Sequence, residues 1–379
     1  MIDKRLLLKK EKEHKRYNHT ATSQPFLKPM STQVENDLSD SFDDAFLQQS
    51  LPQYYRSIIR DFRRVTKNFA LFNAGFAIVF VSELALFLSF LPFLSQSYVL
   101  AFALGGIFLT CFSYFVLLFY FQAKKPEQFS LLRDRFLASC KQAINLPSGM
   151  PQHHLSIAAA LLKLSSYLQD FEWHFYQIPK WLQPISRPVS RFIAFCHWED
   201  VFKMKQLLLH AAIEEHLEQI RMTPTDLEVH ASLANTYVAL SQVYMEPKLP
   251  SGVHPRANRY RKSQPDFEEK FQTAARLAME EFQILNQYAP NDPWVHEQLA
   301  IGYRDLQLPQ EEIREVEILL KLKPQDKEIL FRLGVLYFEQ GWNAKGLQIY
   351  EELKQAHFKK SENLISSYGS YSRSRSIVL

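Results

Sequence analysis

The chain has 379 residues, of which 47% are hydrophobic, and it carries a formal net charge of +4. This length suits two or three domains, and the small positive charge does not indicate a nucleic-acid partner. The three cysteines, Cys111, Cys140 and Cys196, have neither metal-binding nor redox spacing. We therefore expect no disulfide framework, and a reducing compartment for the soluble part.

Residues 1–50 are predicted to form a disordered N-terminal arm. A basic block near the start precedes an acidic, polar stretch, and few apolar side chains are present to offset the entropy of ordering. The basic block is compatible with contact to anionic lipid and equally with a solvated tail. Residues 51–67 follow as a basic juxtamembrane segment.

Two long apolar stretches, residues 69–92 and 98–121, predict a transmembrane helical hairpin over residues 68–122. Each reaches the roughly 20 residues that cross a bilayer, and the short link between them requires antiparallel spans. The link is uncharged, whereas the outer flanks carry Arg56, Arg60, Arg63, Arg64, Lys67, Lys124, Lys125, Arg133 and Arg135. The positive-inside rule predicts an integral membrane protein with two spans and both termini in the cytoplasm, with a bacterial inner membrane as the expected location.

Glu83 lies near the middle of the first span, where a lone carboxylate costs several kcal/mol. It is therefore expected to be protonated or paired. Thr110, at the matching depth of the second span, is the predicted partner through a hydrogen bond that its hydroxyl accepts, and Gly105 and Gly106 would let the helices approach closely. This predicts an intramembrane polar contact that holds the hairpin or an oligomer together. A proton or ion site is the alternative.

Residues 123–198 are predicted to form a helical connector. A helix over residues 126–145 would have Pro126 in its first turn and an apolar stripe on one face. A second helical stretch covers residues 153–176. The three prolines Pro179, Pro184 and Pro188 then exclude a regular helix around them.

Pro290 and Pro324 mark a period of roughly 34 residues, and the residues around them repeat with that period. First helices carry a large residue, Leu, a small residue and Tyr, and second helices carry a small and an aromatic residue. First-helix positions are His230, Leu233, Ala234, Tyr237, His296, Leu299, Ala300, Tyr303, Leu330, Leu333, Gly334 and Tyr337; second-helix positions are Ala278, Phe282, Gly346 and Tyr350. The pattern resembles that of tetratricopeptide repeat (TPR) proteins.

The resemblance implies the fold class and covers residues 199–361. It predicts an all-α protein in which the transmembrane hairpin is followed by a TPR-like α-solenoid of stacked helix pairs. A basic loop inserted over residues 245–266 interrupts one repeat and is either functional or merely solvated. Residues 362–379 are predicted to be a disordered tail, with polar residues before it serving as the cap that a solenoid needs.

The resemblance also implies a binding groove on the concave side, which the first helices line. The predicted partner-binding residues are Asn235, Trp294, Glu297, Arg304, Asp305, Phe331 and Arg332. Aromatic side chains and both signs of charge suit an extended or helical peptide of a partner protein. The TPR mode that clamps a chaperone's terminal carboxylate is disfavoured, because Ala231 and Ile301 stand where Lys and Asn are needed.

No catalytic residues, metal site or cofactor are predicted. Glycine-rich phosphate-binding motifs are absent from the sequence, and His210 with Glu214 shares a helix face without a recognised metal motif. The first hypothesis is therefore a membrane-anchored scaffold or adaptor, not an enzyme, which recruits a protein partner and could form a homo-oligomer. Two alternatives are a secreted bacterial effector inserted in a host-derived membrane, since the hairpin is similar to that of inclusion membrane proteins, and a membrane enzyme of unknown reaction.

Overall fold

The computed structural model describes residues 45–90, 97–144, 150–169, 171, 175, 186–244 and 265–369. These residues form helices and turns without any strand, so the predicted all-α class is confirmed. One compact unit spans Ala45–Pro290, and a second contains Asn291–Leu379. The predictions for residues 1–44, for the link at 91–96, for 245–264 and for 370–379 lie outside the described residues.

The first unit contains six helices within its described residues. They are α1 (Ala45–Phe90), α2 (Ser97–Ala143), α3 (Pro151–Tyr167), α4 (Ser186–Met222), α5 (Leu227–Tyr244) and α6 (Pro265–Tyr288). The described part of the second unit contains α7 (Pro293–Asp305), α8 (Pro309–Leu322), α9 (Lys327–Glu339), α10 (Asn343–Gln355) and α11 (Ser361–Ile365).

Helices α1 and α2 are long and apolar enough to cross a membrane. Their most apolar windows have mean hydropathies of 2.0 and 2.1, and none of either window is buried within the chain. The two helices pack together through rings: the Phe72 centroid lies 4.6 Å from that of Phe121 and 6.0 Å from that of Tyr114. On α2 the partly covered residues recur every three or four positions, as expected for two helices that pack side by side.

The predicted close approach at Gly105 and Gly106 is wrong. Both glycines are exposed, and a Cβ atom added to either would meet nothing within 4 Å. They lie off the stripe of α2 that faces α1, and large aromatic side chains such as Phe72 and Phe76 fill the contact between the helices. The bulk of these rings, and not small residues, sets the separation of the two helices.

Both long helices continue without a break past their apolar parts, although α1 contains Pro52 and α2 contains Pro126. The predicted separate helix that would start at Pro126 is therefore the end of α2. A proline inside a helix costs about 3 kcal/mol. Burial of Phe129, Leu132 and Phe136 beyond it offsets that cost, because a Phe or Leu side chain gains about 1.5–3 kcal/mol when fully buried.

The ends of α1 and α2 join α3 and α4 in one hydrophobic core. Tyr55, Ile58 and Phe62 of α1 are buried in it, with the Phe62 ring 5.3 Å from that of Phe129. The Tyr55 hydroxyl also donates a hydrogen bond of 3.3 Å to the backbone oxygen of Ala160 on α3. The segment predicted only as basic and juxtamembrane therefore has a core-facing side as well as an arginine-bearing one.

A Pro-x-Asp sequence precedes each of α5, α7 and α9. The aspartates Asp226, Asp292 and Asp326 each accept a hydrogen bond from a backbone N–H two residues on, at 3.1, 2.9 and 2.9 Å. These carboxylates satisfy N–H groups that the first helical turn leaves without partners, and they oppose the positive end of the helix dipole. Three helices therefore start by the same local mechanism.

The second unit repeats its own geometry with the period that separates Pro290 from Pro324. Helices α7 and α9 have bounds offset by one such period, and each packs on the helix that follows it. The turn after each helix is also the same: Leu308 N donates to Tyr303 O and Trp342 N donates to Tyr337 O, both at 2.8 Å. Gln307 and Gly341 occupy the left-handed position of these turns, with φ of 58° and 78°.

Replacing Gln307 by Gly is expected to stabilise the second unit by about 0.5–1 kcal/mol. Glycine adopts a positive φ without the clash that a Cβ atom causes, and Gly341 already does so at the equivalent turn. Thermal unfolding of the full-length protein in detergent measures the effect. Gly341→Gln is the matched control and should shift the transition in the opposite direction; equal shifts of one sign would contradict the explanation.

Part of the tail that was predicted to be disordered from residue 362 forms the short helix α11. Leu364 is fully buried, and a Cβ atom on Gly334 would lie only 2.9 Å from Leu364 Cδ2. Gly334 therefore provides the space into which α11 packs. The apolar side chain of Leu364, on a further helical turn, therefore covers the last helix pair, where the sequence predicted a cap of polar residues.

Candidate functional site

The predicted partner-binding residues fall in both units. Asn235 lies on α5 of the first unit, where it is partly exposed. The other six lie on α7 and α9 of the second unit, which we describe as the α7–α9 face. Trp294, Asp305, Phe331 and Arg332 are partly covered, and Arg304 is exposed. Gln298, Ile301 and Val335 are also partly exposed on these helices, and sequence reasoning did not select them.

Glu297 is less accessible than a groove-lining residue should be, since only 8% of its surface is exposed. Burial raises the pKa of this carboxyl, and the nearby Lys323 lowers it in part. Burial likewise raises the pKa of Asp305, against the opposing effect of Arg304, whose Nε lies 3.7 Å from an Asp305 oxygen. The α7–α9 face therefore contains acids that are partly shielded from water.

Arg332 is tied to the fold. Its guanidinium donates hydrogen bonds of 3.1 and 2.6 Å to Glu312 Oε1 on α8, and Glu312 is only 4% exposed. Removal of Arg332 would leave a buried carboxylate unpaired, which is strongly destabilising. Phe331 packs its ring 6.0 Å from that of Phe358. Arg304 is consequently a better probe of binding than Arg332, because its side chain is exposed and its ion pair with Asp305 is longer.

Three pairs of packed helices contain a hydrogen bond between a histidine Nδ1 and a glutamate Oε2. The pairs are His154–Glu215 at 2.6 Å, His230–Glu281 at 2.6 Å and His296–Glu315 at 2.7 Å. In the next helix pair, one period after His296 and Glu315, stand Leu330 and Ile349, both buried. Both members change from polar to apolar together. A comparison of positions 315 and 349, one period apart in the sequence, would have revealed this joint change, but only the first-helix positions 296 and 330 were used in the prediction.

Two ion pairs connect α2 with α4. Lys125 Nζ lies 2.5 Å from Asp200 Oδ1, and Lys141 Nζ lies 3.3 Å from Glu215 Oε1. The His197 Nδ1 is 4.0 Å from the other Asp200 oxygen. The two lysines on α2 and the two acids on α4 follow the same order with nearly the same spacing. The two helices therefore run in the same direction, with a polar contact near each end of their shared length.

Within the apolar part of the hairpin, the Thr110 hydroxyl donates a 2.8 Å hydrogen bond to Glu83 Oε1. Thr110 is thus the donor, not the acceptor that the sequence suggested, because the carboxylate oxygen it meets supplies lone pairs. Glu83 Oε2 is buried and has no hydrogen-bond partner among the described residues. A second contact, in which Tyr114 donates to Asn73 Oδ1 at 3.2 Å, was not expected.

The described residues hold no group of three or more His, Cys, Asp or Glu side chains that could bind a metal ion. His210, considered above with Glu214, has a pKa lowered by burial. Burial also lowers the pKa of His216 to about 4, so this ring is neutral near pH 7. These histidines are consistent with helix packing.

Comparison with known proteins gives no family assignment. No protein family matches the chain, and a search of curated proteins finds no match. The function is therefore argued from the residues and contacts described above.

Proposed function

We propose that this protein is a membrane-anchored adaptor of the TPR type. Helices α1 and α2 act as a two-span anchor, and the helix pairs that follow present a groove that captures a peptide segment of a partner protein. Both termini lie in the cytoplasm, and the membrane is a bacterial inner membrane. The first unit joins the anchor to the repeats through the core shared by α1, α2, α3 and α4.

The anchor is supported by the two apolar windows, which are entirely unburied although each belongs to a helix of 46 or 47 residues. Exposed side chains such as Phe102, Phe108 and Phe119 would be unfavourable in water but suit lipid. The direction of insertion is supported by the arginines and lysines at the outer ends of both helices.

The observation that carries the TPR proposal is the 34-residue repetition in the second unit. It includes the helix bounds, the Asp caps and the left-handed turns. The positions of His296 and Glu315 also recur one period on, where Leu330 and Ile349 are both buried. Repetition of backbone and contacts at this period is typical of helix-pair repeats that stack. Partly exposed aromatic, apolar and charged residues on α7 and α9 suit an amphipathic or extended peptide.

The test is an in-cell crosslinking pulldown with the full-length protein and single variants. Trp294→Ala and Arg304→Glu are expected to reduce capture of the specific partner at least about tenfold, since aromatic and arginine side chains commonly dominate interface energy. Arg314→Glu on α8 makes the same charge change at an exposed position on a second helix and should preserve capture. Equal capture by all variants would contradict the groove assignment.

The cluster of Lys125, Asp200 and His197 is the one observation that favours a membrane enzyme, because it places an acid, a base and a cation together in the connector region. The carboxylate and the histidine are both buried, and the carboxylate already pairs with Lys125, which suits an internal ion pair better than an open site. The effector alternative uses the same anchor and differs in destination: fractionation would find an effector outside the producing cell and an adaptor in its membrane.

A further inference from the structure

The outer ends of the two long helices carry exposed cations at a defined depth. Arg64 and Lys67 precede Phe69, where the first apolar stretch begins, by five and two residues, or about 8 and 3 Å along the helix. Lys124 follows Phe121, the end of the second stretch, by three residues, or about 4.5 Å. The polar headgroup layer is about 5–7.5 Å thick on each side of a bilayer, so Lys67 and Lys124 lie within it and Arg64 lies at its outer edge.

The surroundings of Arg64 and Lys124 favour an anionic occupant. The nearest acidic residues along the two helices are Asp61 and Glu127, about 12 and 9 Å from the apolar boundaries and thus beyond the headgroup layer. Asp200, which packs from α4, is engaged by Lys125 at 2.5 Å. Among the described residues, no ion pair is made by Arg64 or by Lys124.

Lys124 has a geometry suited to the membrane surface. Its Nζ donates a 3.0 Å hydrogen bond to the hydroxyl of Tyr120 and lies 5.3 Å from the centre of that ring. Tyrosine at the end of a span sits at headgroup level with its hydroxyl toward water. The bond therefore holds the ammonium at the apolar boundary, where a phosphate group of a lipid would meet it.

We propose that Arg64, Lys67 and Lys124 form a binding surface for the headgroups of anionic phospholipids. The proposal rests on the membrane anchor proposed above, since the depth of each cation follows from the spans. It differs from a general attraction of the net charge, because it assigns the contact to the cations at headgroup depth. Arg56, Arg60 and Arg135 are also exposed but lie about 20, 14 and 21 Å beyond the apolar boundaries, out of reach of the headgroups.

The full-length protein is reconstituted in nanodiscs of phosphatidylcholine, alone or mixed with phosphatidylglycerol, and native mass spectrometry counts the lipids it retains. Wild type should retain phosphatidylglycerol selectively. The triple variant Arg64→Gln, Lys67→Gln, Lys124→Gln should lose at least about tenfold of this preference, since each cation near the surface contributes about fivefold. Arg56→Gln, Arg60→Gln, Arg135→Gln removes the same charge and should keep the preference.

Four outcomes overturn the proposal. Equal loss in both triple variants would mean that net charge alone attracts the lipid, and no preference in wild type would mean that the cations do not bind it. If an added acidic peptide is retained in place of phosphatidylglycerol, the surface binds a protein segment and not lipid headgroups. A wild-type protein that enters nanodiscs without lipid preference leaves the membrane anchor standing, whereas failure to enter them removes both proposals.

Discussion

Replacing Lys125 by Met is expected to destabilise the first unit by about 3 kcal/mol. Lys125 pairs at 2.5 Å with Asp200, whose side chain is 6% exposed, and loss of the cation would leave a carboxylate buried without its main partner. Asp200 is on a short side chain and cannot reach water without moving α4. The thermal transition of the full-length protein in detergent measures the loss, and a downward shift of several degrees is expected.

The reverse substitution should cost less. Asp200→Asn leaves a lysine that is 18% exposed and whose Nζ already lies 4.3 Å from the centre of the Phe69 ring. Its long side chain can turn the ammonium toward water while its methylene groups remain packed. The double variant Lys125→Met, Asp200→Leu removes both charges and should recover most of the stability. If both single variants cost the same and the double variant recovers nothing, Lys125 contributes through packing alone.

Stability of the pair α5–α6 is expected to fall as pH rises through the pKa of His230. Burial alone would lower that pKa from its ordinary 6.5, but the hydrogen bonds to Glu281 and to the Pro224 carbonyl, together with the charges of Glu281 and Asp226, raise it on balance. A folded-state pKa above the unfolded value means that protonation favours folding. The contribution is complete below about pH 6.5 and is lost as pH rises through the raised pKa.

Substitutions at His230 distinguish its contribution to stability from that of other histidines that titrate in the same pH range. His230→Leu would leave Glu281 largely buried without its partner, and a cost of about 2–3 kcal/mol is expected. The double variant His230→Leu, Glu281→Ile copies the Leu330 and Ile349 pair that the chain itself uses in α9 and α10. It should recover most of that cost. The protection of amides in α5 and α6 against hydrogen exchange, compared between pH 6 and pH 8, measures both the cost of each substitution and the pH dependence of stability.

The double variant also serves as the control for pH. Without either titratable group, its exchange protection in α5 and α6 should vary less with pH than that of wild type. A double variant as pH-dependent as wild type would assign the effect to another group, and one as unstable as His230→Leu would show that this helix pair does not accept the apolar contact of α9 and α10.

Sequence patterns predicted the two long apolar helices and the helical class because both depend on spacing along one chain. The 34-residue period likewise indicated where α7 and α9 would begin. The depth argument selected Glu83 and Thr110, which the structure places in contact at 2.8 Å. The same patterns failed at Pro126, where a local rule indicated a helix start and burial of Phe129 and Phe136 favours a continuous helix.

The sequence by itself determined the kind of each element. Apolar length specifies two helices long enough to cross a membrane, and Pro-x-Asp with a 34-residue period specifies capped helix pairs. Only the tertiary structure decided which polar groups meet, because a contact between Lys125 and Asp200, which are distant in the chain, depends on which helix faces pack together. It also pairs Arg332, one of the predicted partner-binding residues, with the buried Glu312 at 2.6 Å. Periodicity reports position along a helix, whereas pairing free energy depends on distance and burial in three dimensions.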